Sequence, residues 1–174
     1  MIGVVPDDDE STGKAPPEPT TDYACAGDRH FVDASYLHND GRLLTADHLF
    51  GLAVECLMKG LLLRFGAGYG VSMMKNPTTE DTRPWWDDPA AGTRKPLGHW
   101  HQVHPALTVI ARGRSASALT QAVERLSADF EKWTVSDRYT DGTHLDPPLM
   151  IRRKESAALA HDLHLHAQFT GKLP

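Results

Sequence analysis

Arg138 and His144 stand in the segment "FEKWTVSDRYTDGTHLDPP", Phe130 to Pro148, with five residues between them. Those two side-chain types suffice for one kind of chemistry. RNA can be cut when its own 2′-hydroxyl attacks the adjacent phosphorus. A histidine with a pKa near neutrality moves the proton, and an arginine holds the charge gathering on the phosphorane through paired N–H donors. The same residues also admit a structural account, in which Arg138 pairs with a buried carboxylate such as Glu55 and His144 is simply exposed. With ten histidines in 174 residues, spacing alone does not choose between the two.

Other candidates surround this pair. Glu55 and Lys59 stand at i and i+4 on an otherwise apolar stretch, where a buried carboxylate needs a partner. Arg138 or Tyr139 is the expected partner, which would make Glu55, Tyr139 and Asp141 supporting residues. Arg152, Arg153 and Lys154 form a basic triplet just beyond, read either as a phosphate-binding patch or as a solvated helix start. His99, His101 and His104, and then His161, His164 and His166, lack any cysteine or carboxylate that completes a four-ligand set, so neither a metal nor another cofactor is expected. "GAGYG" at 66–70 has no preceding strand and no following Lys-Ser/Thr, and is too loose to cradle a phosphate.

The body of the chain sets limits on this chemistry. Residues 1–22 carry six acids against the single base Lys14, which accounts for the whole formal charge of -5. The remainder is neutral, so any RNA contact must come from a local patch. Two cysteines, Cys25 and Cys56, are too few for a disulfide framework and point to a reducing compartment. Leu49 to Leu63, the longest apolar stretch, is interrupted by charges and shorter than the ~20 residues a membrane crossing needs. With no signal peptide evident, a soluble, cytoplasmic protein is expected.

Helices must position the candidates. Residues 1–21 are rich in Pro and acids and read as a disordered tail. Asp22 caps an expected helix over 23–39, and "DG" at 40–41 breaks it. The stretch 42–65 is apolar on most of its circumference, so other helices must surround it. Residues 66–98, with the pair Trp85–Trp86, read as a long loop that packs down in part or anchors a partner. Helical spacing resumes at 99–111, with Pro105 placed in the first turn. After a turn and a cap at Ser115 or Ser117, Leu119, Val123, Leu126, Phe130 and Trp133 form a packing seam. A last helix covers 151–169. No alternating β pattern of useful length is visible, and the fold reads as an all-α bundle of about five helices over residues 22–174.

Three stretches give this pattern a family likeness. They are "ADHLFGLAVECLMKGLLL" with small Ala46 and Ala53 before Glu55 and Lys59, "GHWHQVH" opening the third helix, and "FEKWTVSDRY" leading into an Arg-centred turn. Their order and spacing, over roughly residues 23–170, resemble the HEPN superfamily of small helical bundles. That resemblance implies a HEPN-like bundle with a long loop between its second and third helices. Many such proteins are metal-independent endoribonucleases carrying Arg, four to six residues, then His, a pattern that Arg138 and His144 meet. It further implies RNA as substrate, a homodimer that brings two Arg-His sets together, and a toxin–antitoxin or defence setting. Apolar surface on the seam and on the second helix agrees with such pairing. The polar run "TDGT" departs from the family by placing His144 on a loop. The alternative is a non-catalytic HEPN module that binds a protein partner, such as an antitoxin, or a nucleotide.

Overall fold

The computed structural model describes residues 20–75, 78–79, 82–112 and 117–173. Five α-helices carry it: α1 (Tyr23–Asn39), α2 (Leu43–Phe65), α3 (Trp100–Arg112), α4 (Ser117–Phe130) and α5 (Pro147–Thr170). Asp22 caps α1 by accepting the Cys25 N–H at 3.0 Å. A turn through Gly41, whose φ of 77 suits glycine, folds α2 back along α1. The expected caps at Ser115 and Ser117 and nearly all of the expected tail lie outside the described residues, since the Ser117 side chain is not among them.

The chain is mostly helical, broadly as expected, with one small sheet added to the five helices. Part of the expected loop 66–98 is a three-stranded antiparallel sheet, ordered β1 (Ser72–Lys75), β2 (Thr82–Asp88), β3 (Thr93–Pro96). Trp85 opposes Ser72 on one side and Pro96 on the other. The strands escape a propensity reading because β2 contains Pro and Asp, residues that strands usually exclude. Their inward side is short: Pro84 and Trp86 are buried, while Arg83 and Trp85 are half-buried and Asp87 is exposed. Cross-strand charge then fixes the register, with Arg94 donating to Asp87 at 2.6 Å and Lys95 to Asp88 at 2.6 Å. Trp86 joins the core, so the Trp pair is no exposed anchor.

α2 forms the centre of that core. Phe50, Val54, Leu57, Met58, Leu61 and Leu62 are all buried there. The seam on α4 is equally consumed, with Leu119, Val123, Leu126 and Phe130 turned into the same cluster. The α4 part of the surface that agreed with homodimer pairing is therefore used within one chain, while Leu49, Leu52 and Leu63 of α2 stay half-buried. Two boundaries also move. α4 ends at Phe130, yet Trp133 beyond it is buried at 2% exposure. Pro105 falls in the second turn of α3, and its missing N–H leaves one helical hydrogen bond unmade.

Candidate functional site

α5 begins four residues earlier than its spacing predicted. Asp146 caps it by accepting the Leu149 N–H at 2.6 Å, and Pro147 and Pro148 occupy its first positions, where no N–H is needed. Between α4 and this cap runs a single-turn 3-10 segment, Val135–Tyr139, that packs against the start of α2. Its sequence closes it locally. Thr134 accepts from Ser136 N at 3.2 Å, while Asp137 accepts from Thr134 N at 3.2 Å and from Thr134 Oγ1 at 2.8 Å. This reciprocal capping, written "TVSD", fixes the direction of the Asp137 carboxylate.

His144 meets that carboxylate. Its Nε2 lies 4.0 Å from Asp137 Oδ2, near enough for charge to act but longer than a hydrogen bond. Arg138 is exposed and stacks its guanidinium over the Tyr139 ring at 4.7 Å, and Tyr139 is itself 77% exposed. Asp141 shapes the loop rather than facing the pair, accepting the Thr143 N–H at 3.0 Å and its hydroxyl at 2.8 Å. Those two bonds, the backbone one first, hold its carboxyl below the ordinary carboxylate value.

Glu55 does not partner Arg138. It accepts from Lys59 at 2.7 Å and faces His99 Nδ1 at 3.4 Å, with both members of the lysine pair 7% exposed at the side chain. The reason is helix rise: Arg138 acts on His48, and Glu55 stands seven residues, roughly 10 Å, further along α2. The basic triplet is likewise dispersed, because successive helical residues point about 100° apart. Arg152 bonds Asp129 Oδ1 at 3.2 Å and Lys154 meets His38 Nδ1 at 3.2 Å. Arg153 is buried and cannot reach a phosphate. It donates to Asp47 Oδ2 at 2.7 Å and to the Asp129 carbonyl at 2.9 Å.

Three residues absent from the sequence reading complete the arrangement. Asp137 was legible in the Thr-x-x-Asp capping pattern. Asp47 and His48 carried no signal beyond being polar at the start of an apolar helix. Burial raises the Asp47 carboxyl above its ordinary value, against the pull of Arg153. His48 stacks on Trp133 with ring centres 5.8 Å apart and planes 28° apart. Burial, and then the Arg138 charge, lower its pKa from 6.5, while Asp137 opposes them. Arg138 thus acts on His48, and His144 acts on the adjacent Asp47. The start of α2, bearing the buried Asp47 and His48, packs against the 3-10 turn.

Three further histidines have separate partners: His104 with Thr108 at 3.2 Å, His161 with Asp28 at 3.3 Å and His164 with Gln168 at 2.8 Å. Among the described residues, no helix is long and apolar enough to cross a membrane. Compared with protein-family models, curated proteins and solved structures, the chain finds no match.

Proposed function

We propose that this chain is an endoribonuclease that cuts RNA by 2′-hydroxyl attack, with Arg138 and His144 at the reacting phosphate. One observation carries the reading. His144, exposed on the loop after the turn, lies 4.0 Å from Asp137, which belongs to the same turn that presents the exposed Arg138. The O2′–P bond forms and the P–O5′ bond breaks, leaving a 2′,3′-cyclic phosphate and a 5′-hydroxyl. His144 transfers a proton at this step. Arg138 holds the phosphorane charge, and Tyr139 offers a ring on which a base stacks. This is also the function that the HEPN resemblance implies. The patch is small, in keeping with a neutral body.

The test is cleavage of a fluorescent RNA by the purified chain with EDTA present. His144→Ala and Arg138→Ala should each lower the rate about 100-fold or more, and the product should end in a cyclic phosphate. Cleavage that survives both substitutions, or that disappears with chelator, overturns the reading.

The stacked Arg138 and Tyr139 favour a second reading, a module that binds nucleic acid or a nucleotide without cutting it. In that case Arg138→Ala abolishes binding in a filter assay, His144→Ala leaves it intact, and no cleavage is seen.

A further inference from the structure

We infer that His48 is the second proton-transfer group of this site, taking the proton from the 2′-hydroxyl while His144 delivers one to the departing 5′-oxygen; the inference rests on the ribonuclease reading. The reaction needs both transfers. A proton leaves O2′ as the O2′–P bond forms, and another must reach O5′ as the P–O5′ bond breaks. His144, exposed on its loop 4.0 Å from the Asp137 carboxylate, is open to the departing oxygen.

His48 has the placement and the restraint that the other role requires. It lies on α2, which packs against the 3-10 turn, and its ring stacks on Trp133, the residue just before the Thr134 cap of that turn. Its ring is clamped against Trp133. Trp133 in turn rests directly on the α2 backbone at Gly51, one turn further along, where any β-carbon would overlap the indole. A ring locked by packing holds a proton acceptor more accurately than one on a free loop.

The two ring nitrogens differ. Nδ1 is sealed from solvent with no partner among the described residues, while the residue as a whole keeps 9% exposure. Exchange with substrate therefore falls to Nε2. The charged groups around the ring favour the neutral form. Arg138 of the 3-10 turn and His30 of α1 oppose a proton, Asp137 alone favours it, and Asp47 on the same helix is tied to Arg153 of α5. A neutral imidazole is the form that accepts a proton.

The experiment compares the full-length wild type, His48→Gln and His144→Gln on two RNA oligonucleotides. One has an ordinary scissile linkage, and the other a sulfur in place of the bridging 5′-oxygen, whose thiolate leaves without a proton. On ordinary RNA both variants should fall about 100-fold or more. The sulfur substrate should restore His144→Gln to within about tenfold of wild type and leave His48→Gln impaired. The acid limb of the kcat/KM profile should also disappear in His48→Gln. A His48→Gln protein that cuts ordinary RNA at the wild-type rate, or that sulfur rescues as it rescues His144→Gln, overturns this role alone. A wild type that cuts no RNA overturns the ribonuclease reading and this role together. If His48→Gln loses its helical circular dichroism, the wild type decides through its imidazole resonances. On adding uridine 3′-monophosphate the His48 and His144 signals should both shift, and an unmoved His48 overturns the assignment.

Discussion

Arg153 donates to Asp47 across 2.7 Å with both side chains 1% exposed, 106 positions apart in the chain. The same guanidinium holds the Asp129 carbonyl at 2.9 Å and lies 5.6 Å from the centre of the Phe130 ring. One side chain of α5 thus ties the start of α2 to the end of α4. Asp129 extends the tie, accepting from Ser156 at 2.6 Å and from Arg152 at 3.2 Å. The turn bearing Arg138 begins five residues after Phe130, at Val135.

Breaking the buried pair from one side should be costly. Asp47→Asn or Arg153→Met leaves an uncompensated charge or donor in the interior, worth on the order of 3–5 kcal/mol. Replacing both, as Asp47→Leu with Arg153→Met, should recover most of that loss, since no charge remains stranded. Urea unfolding of the three variants measures this. A double variant as unstable as either single one would show that the pair does more than satisfy itself.

Gly51 and Gly60 lie on the same helix and should respond oppositely to alanine. At Gly51 the new methyl group overlaps the Trp133 indole, so Gly51→Ala should cost about 1–3 kcal/mol of overpacking. It should also alter tryptophan fluorescence and impair cleavage by displacing the 3-10 turn. At Gly60 the nearest atom is Ala24 N at 3.6 Å, an ordinary contact. Helix propensity then favours Gly60→Ala by up to about 1 kcal/mol. Equal melting temperatures for the two variants would contradict this packing.

Arg138→Ala should remove activity without unfolding the chain. The side chain is exposed, and its contact is with exposed Tyr139 rather than with buried Glu55. Its stability change should stay within about 0.5 kcal/mol, in contrast with Arg153→Met. Arg138→Lys keeps the charge but loses the paired donors, and should recover only part of the rate. A cooperative unfolding loss as large as that of Arg153→Met would mean that the turn depends on Arg138.

Acid should destabilise the fold from the ordinary histidine value downwards. Burial lowers the pKa of His30, His48, His104 and His164 from 6.5. The unfolded chain therefore binds more protons than the folded one once pH falls below about 6.5. Stability is fully present above that value and is lost as pH drops through the lowered folded values. Urea midpoints from pH 7.5 to 5 should fall steadily, and fall less in His104→Gln or His164→Gln. A flat profile would mean that these rings protonate in the folded state without penalty.

Helix positions were legible because they depend on local rules. Asp22 as a cap, the break at Gly41 and the apolar circumference of α2 each follow from a few neighbouring residues. The sheet was not legible, because its inner face amounts to Pro84 and Trp86, and its register depends on charges brought together by the turns. Trp133 shows the same limit. Its spacing continued the α4 seam, yet it stands beyond the helix and is buried by resting on Gly51.

The sequence by itself determined which residue types were available for chemistry, the Arg138–His144 spacing, and the helices that carry most of the chain. Only the tertiary structure decided who meets whom. Glu55 and Arg153 were both charges beside apolar stretches, and nothing local distinguished a pair four residues apart from one 106 apart. Burial makes that decision, because a charge removed from water must take whichever opposite group the packing brings within reach. For Arg138 the packing brings none among the described residues, and it is left exposed and stacked on Tyr139. The chemistry proposed for this face depends on that outcome.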